Sequence, residues 1–196
     1  MNVLDEHTSE LGAAHARLIA ELRRHALVIG DVTLTSGARA SYYVDAKRAI
    51  LLPEGFAALS VLLAHQVREW HGTAVGGMTM GADPIACAAL AGGAQAKAFF
   101  VRKDAKAHGL QRRIEGPQLA AEDRCVVVED VVTTGGSTLA AIEAVQEAGH
   151  TICGVISVLD RLAGGGEEIK RAAGAPYVAL TTIDELYPDR PDRRPA

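Results

Sequence analysis

Arg124-Cys125-Val126-Val127-Val128-Glu129-Asp130-Val131-Val132-Thr133-Thr134-Gly135-Gly136-Ser137-Thr138 opens as an apolar, β-branched run, the mark of a strand buried on both faces. Two adjacent carboxylates, Glu129 and Asp130, stand at its carboxyl end, and a turn of small residues follows. Beyond the turn Leu139, Ile142 and Val145 recur at i, i+3 and i+6, so one face of a helix is apolar. A strand that passes through such a turn into a helix presents backbone N–H groups at the helix start. Those donors and the helix dipole favour an anion, most often phosphate. The glycines let the backbone approach the ligand, and the Thr and Ser hydroxyls add donors. Carboxylates beside that cradle would repel a bare polyphosphate, but they suit sugar hydroxyls or a divalent cation. The implied ligand is a sugar phosphate, with its 5′-phosphate in the turn and its ribose hydroxyls on the acid pair. No Lys follows the glycines, which excludes a P-loop, and the acids precede the turn, which excludes a G-x-G-x-x-G dinucleotide fingerprint.

The remainder of the chain sets the bounds. Its 196 residues suffice for one domain with a substantial core, taken here as 1–187 with 188–196 as a flexible tail rich in Pro, Arg and Asp. A net charge of −4 argues against a nucleic-acid binder that works by bulk charge. Cys87, Cys125 and Cys153 lie far apart in apolar settings and read as reduced core residues of a cytoplasmic protein. No stretch is long and apolar enough for a membrane span, and the acidic start does not read as a signal peptide.

Taken in order, Thr8 to Val28 is expected to be helical and to end at Gly30. Val32-Thr33-Leu34 and Tyr42-Tyr43-Val44-Asp45 read as a small hairpin, a hood built from about 28–50, with the two tyrosines on opposite faces. Pro53 starts a helix to about His71. Strands are expected at 73–76, 97–102, 151–159 and 177–181 and helices at 84–91 and 167–173, with the central strand and its helix together filling 124–149. Strands alternating with helices imply a parallel, doubly wound sheet whose ligand sits beyond the carboxyl ends of the strands.

A second informative stretch is Arg102-Lys103-Asp104-Ala105-Lys106-Ala107-His108-Gly109, which runs on through Arg112 and Arg113. Beside a phosphate site such a loop gathers the positive charge that a departing pyrophosphate needs, with His108 as a donor of a hydrogen bond or proton. Elsewhere it would be a solvated basic loop.

Together these stretches resemble known proteins. The apolar run, acid pair and Thr-Thr-Gly turn are similar to the signature with which type I phosphoribosyltransferases bind 5-phosphoribosyl 1-diphosphate (PRPP). Arg-Lys-x-x-Lys-x-His-Gly resembles the catalytic loop of the orotate phosphoribosyltransferases. The resemblance covers nearly the whole chain up to the tail. It implies an α/β type I phosphoribosyltransferase fold, with a mainly parallel central sheet flanked by helices and a small N-terminal hood. It implies transfer of phosphoribosyl from PRPP to orotate with Mg²⁺, giving orotidine 5′-monophosphate and pyrophosphate on the way to UMP. By the resemblance, Arg102, Lys103, Lys106, His108 and residues 129–137 (Glu129, Asp130, Val131, Val132, Thr133, Thr134, Gly135, Gly136 and Ser137) bind PRPP. Lys103, Lys106, His108 and Asp130 are catalytic, while Thr133 and Arg161 contact orotate. Mg²⁺ is held mainly through PRPP. The chain is expected as a homodimer in which the loop acts across the interface, with no nucleic-acid or membrane partner. One departure stands out: where the family commonly carries an aromatic-Lys pair, this chain has Met80-Gly81, followed by Ala82-Asp83-Pro84. A transferase for another base and a PRPP-sensing regulator are the rival readings.

Overall fold

A computed structural model of the chain describes residues 3–33, 39–103 and 113–193, the side chains of 3–8 and 33 excepted. Lys106 and His108 lie outside the described residues, as does the Thr35-Ser36-Gly37 segment of the hairpin. The element order is α1 (Val3–Glu21), a π-helical turn (Leu22–Ala26), β1 (Leu27–Thr33), β2 (Arg39–Val44), α2 (Lys47–Ile50), α3 (Pro53–Glu69), β3 (Ala74–Met78), α4 (Asp83–Ala91), β4 (Lys97–Val101), β5 (Ile114–Glu115), β6 (Arg124–Val132), α5 (Gly136–Glu147), β7 (Thr151–Asp160), α6 (Gly165–Ala173), β8 (Tyr177–Thr182) and α7 (Ile183–Leu186).

Six strands form one sheet in the order β5-β4-β3-β6-β7-β8. All neighbours pair in parallel except the short edge strand β5, which runs antiparallel to β4. The alternation of strands and helices in the sequence predicts this architecture. The strand β5 was not expected, because two residues inside a polar loop carry no periodicity. Its backbone continues the edge: Arg102 N–H donates to Arg113 O at 2.8 Å.

The core lies on both faces of the sheet. Leu59, Leu63 and Val67 of α3 pack with Ile85 of α4 on one side, and Ile142 and Val145 of α5 pack with Ile169 of α6 on the other. Val126 and Val128 of β6 face the first layer while Cys125 and Val127 face the second, as strand alternation requires. Burying a side chain such as Leu63 completely contributes about 2 kcal/mol. Cys125 and Cys153 are buried as expected, whereas Cys87 is exposed on α4. The small-residue run around Cys87 hides its solvent-facing position, since Ala can occupy either face of a helix.

Two further departures concern the first third of the chain. The N-terminal helix does not reach Val28. It ends in the π-helical turn, and Leu27 already belongs to β1. Gly30 is therefore no helix cap; it has φ 136° and sits in the irregularity between Ile29 and Val32, where β1 shifts register against β2. β-Branched residues and the pairing partner in β2 override the helical periodicity there. The short helix α2 was also unforeseen.

Residues 188–193 make charged and polar contacts with the rest of the chain. Arg190, whose side chain is 9% exposed, pairs with Asp184 and Asp192, and Tyr42 Oη donates to Asp192 Oδ2 at 3.1 Å. Charge pairing and an aromatic partner tie this segment to β2. Among the described residues no helix is long and apolar enough to cross a membrane.

Candidate active site at the carboxyl end of β6

The site begins where the β-branched run of β6 gives way to Glu129 and Asp130. Consecutive strand residues point to opposite faces, so the two carboxylates straddle the sheet. Glu129 turns toward α5. Its Oε2 accepts from Thr138 Oγ1 at 3.0 Å and its Oε1 from the Asp130 N–H at 3.2 Å. Burial and the neighbouring Asp130 carboxylate push its pKa up to about 7. Asp130 turns toward the loop after β3 and toward α2. Its Oδ1 accepts the Val131 N–H at 2.8 Å, and its Oδ2 accepts Lys47 Nζ at 2.9 Å.

The turn 133–135 brings the chain onto α5. Gly135 is the cap residue at φ 82°, a left-handed conformation that costs an L side chain energy. A Cβ there would also come within 3.1 Å of the Ile169 side chain, which would have to shift to admit it. The first helical bond of α5 runs from Leu139 N–H to Gly135 O. The N–H groups of Gly136, Ser137 and Thr138 lie ahead of it, within the first turn that has no intrahelical acceptor. Acid pair and turn share one cavity of about 310 Å³, lined by Glu129, Asp130, Val131, Thr133, Thr134, Gly135, Gly136, Ser137 and Thr138. Val132 does not line it; this residue is buried at the strand end, with its carbonyl accepting the Arg161 N–H at 2.8 Å.

Arg161 follows β7 directly. Asp160 beside it is fixed by the Tyr177 hydroxyl at 2.9 Å and by the Leu162 N–H at 2.7 Å. Burial, reinforced by Asp160, holds the Tyr177 hydroxyl in its protonated form by raising its pKa. The Arg161 guanidinium lies 4.9 Å from the centroid of the Tyr42 ring. Tyr42 is the inward tyrosine of β2, 2% exposed, and Tyr187 meets it edge-on. Tyr43 points outward at 39% exposure.

Arg102 and Lys103 stand elsewhere. Both are exposed and line, with Thr79, Phe100 and Glu115, a separate cavity of about 430 Å³ at the sheet edge. Arg102 lies 3.6 Å from Glu115. Neither residue lines the acid-pair cavity.

Sequence reasoning missed Lys47. Its ammonium also lies 2.9 Å from Asp45 Oδ1, bridging the end of β2 to β6. Desolvation opposes its charge, but hydrogen bonds to Asp45 and Asp130 outweigh this and raise its pKa. A lysine following Asp45-Ala46 carried no signal of a partner 83 residues later.

A parallel sheet whose central strand ends in an acid pair and feeds a Thr/Gly turn onto a helix defines a type I phosphoribosyltransferase. No family model matches the chain. It is 48% identical to the orotate phosphoribosyltransferase of Streptomyces coelicolor over 86% of its own length and 94% of that protein's. Among solved structures it resembles the Mycobacterium tuberculosis orotate phosphoribosyltransferase in complex with Fe(III) dicitrate, with TM-score 0.80 and 43% identity over 89% of this chain and 99% of that one. A structure of the same Mycobacterium enzyme in complex with PRPP gives TM-score 0.76 and 37% identity, over 88% and 98%. The chain belongs to the orotate phosphoribosyltransferases, glycosyltransferases that move the phosphoribosyl group of PRPP to orotate in pyrimidine synthesis.

Proposed function

We propose that this chain performs that transfer with the 5′-phosphate of PRPP on the 133–137 turn and the ribose hydroxyls on Glu129 and Asp130. The observation that carries this reading is the single cavity in which the acid pair and the unpaired N–H groups of the α5 start meet. Displacement at the anomeric carbon builds positive charge on the ribose ring, and orotate supplies an anionic ring nitrogen, so no protein nucleophile is required. Positioning and charge stabilisation are then the protein's tasks. Asp130 accepts from a ribose hydroxyl and favours the oxocarbenium-like state. Arg161 offers its planar fork to the orotate carboxylate beside Thr133. Lys103, Lys106 and His108 neutralise the departing pyrophosphate. The reading includes a homodimer in which each loop serves the partner's site. The reading also includes one catalytic domain over 1–187 with the 28–50 hood, and a cytoplasmic enzyme with reduced cysteines.

The donor set fits a magnesium ion that arrives on the diphosphate. Among the described residues no group of three or more His, Cys, Asp or Glu side chains could cage a metal. Mg²⁺ is commonly bound through one or two carboxylates together with substrate phosphates. Asp83, at the start of α4, keeps its Oδ1 without a hydrogen-bond partner among the described residues and is the carboxylate that would meet such an ion. When bound, the ion supplies charge neutralisation at the pyrophosphate oxygens.

Loss of orotate absorbance on adding PRPP and Mg²⁺, against adenine, hypoxanthine and uracil controls, tests the reaction. Consumption of a control base in place of orotate overturns it. The loop role has its own test. Lys103→Ala is expected to lower kcat far more than PRPP affinity, and unchanged kcat with about tenfold weaker binding rejects that role.

A further inference from the structure

Three facts meet at the outer face of Asp130. Lys47 Nζ is 2.9 Å from Oδ2 and reaches it from α2, directly after the hood strand β2. The loop after β3 closes on the other oxygen: a Cβ at Gly81 would come within 2.9 Å of Asp130 Oδ1. The Val131 N–H occupies Oδ1 from within the strand. Position 81 is glycine and brings no charge, so Lys47 is the cation paired with this carboxylate among the described residues. Asp130 also stands next to the buried Glu129, a second carboxylate.

We propose that Lys47 is a positioning residue for phosphoribosyl transfer: its bridge from Asp45 to Asp130 holds the Asp130 carboxylate aimed at the ribose. This rests on the role given above to Asp130. Bridging two carboxylates gives the ammonium two charge-assisted bonds in a partly desolvated place, where such bonds are strongest. The side chain is 37% exposed, so it can adjust when a sugar hydroxyl takes its share of Oδ2. The bridge also ties the 39–50 segment, including the Tyr42 that lies under Arg161, to the strand carrying the acids. Lys47 acts on the substrate through Asp130.

The test compares Lys47→Met, which keeps length and loses charge, with Lys47→Arg, which keeps charge, in steady-state assays varying PRPP and orotate separately. Lys47→Met is expected to lower kcat/KM for PRPP on the order of 30-fold while changing KM for orotate less than about threefold. Lys47→Arg is expected to recover most of the loss. A merely structural role predicts no such recovery and a fall shared by both substrates, and either result overturns the proposal. Lys47→Met within about twofold of the parent also overturns it. If Lys47→Met does not fold, Lys47→Gln carries the same comparison. A double-mutant cycle checks the route. In an Asp130→Asn background Lys47→Met should add little, because the partner is already neutral. A full additional loss there means that Lys47 works independently of Asp130. Failure of the underlying site reading looks different: Asp130→Asn alone would then leave turnover unchanged.

Discussion

Strand β6 has an acidic centre at each end, and the two are built in opposite ways. Just before its first residue, Asp123 accepts from Lys97 Nζ at 2.6 Å, Thr73 Oγ1 at 2.8 Å and the Ala120 N–H at 2.6 Å. Burial alone would raise its pKa, but these donors outweigh burial and lower it. At the far end burial, and then the neighbouring Asp130 carboxylate, raise the pKa of Glu129, whose hydrogen bonds come from the Thr138 hydroxyl and the Asp130 N–H. The first centre is saturated by the fold and locks β3, β4 and β6 at the amino-terminal edge of the sheet. At the second, Glu129 is held by a hydroxyl and a backbone N–H and Asp130 by Lys47, at the edge where parallel sheets bind ligands. The electrostatics at Asp123 and Glu129 are opposite: the first carboxylate has a cation against it, and the second is pushed toward its neutral form by burial.

Exchanging the two roles should fail in a specific order. Asp130→Asn is expected to lower kcat on the order of 100-fold, with little change in the denaturant midpoint. A variant that unfolds instead, or that turns over normally, breaks the contrast. Asp123→Ala should do the converse: about 3 kcal/mol of stability lost in urea unfolding, with kcat of the folded protein retained.

Glu129→Gln sharpens the contrast through its pH dependence. A carboxyl whose pKa rises on folding from 4.5 to about 7 keeps a proton that the unfolded chain releases in that window. It therefore costs no stability below pH 4.5, and the cost grows as pH rises toward 7. Gln cannot ionise, so the variant should gain about 3 kcal/mol over the parent at pH 8 and nothing at pH 4. Equal differences at both pH values would contradict the assigned electrostatics. The smallest effect belongs to the orotate side. Tyr42→Phe removes the hydroxyl bonded to Asp192 but keeps the ring under Arg161, and should raise KM for orotate by about threefold with KM for PRPP unchanged.

The same strand explains what could be read in advance. A β-branched run, an acid pair and a Gly/Thr turn are all local in sequence, so the central βα unit and the phosphate cradle were legible, and alternation of elements gave the parallel sheet. Lys47 was not legible, because its meaning depends on a carboxylate 83 residues away. The strand β5 was hidden for a similar reason: two residues gain a strand identity only from β4 beside them. In the segment 188–193 the pairing of Arg190 with Asp184 and of Tyr42 with Asp192 was hidden too, since the partners lie in other elements. Gly30 misled by position. It follows a helical period, yet it serves a strand irregularity.

The most direct measurement is a crystal structure of the chain with PRPP bound. The account predicts the 5′-phosphate on the N–H groups of Gly136, Ser137 and Thr138, and the ribose hydroxyls within hydrogen-bond reach of Glu129 and Asp130. A phosphoribosyl group bound away from the 133–137 turn, with the acid pair facing only solvent, would contradict it.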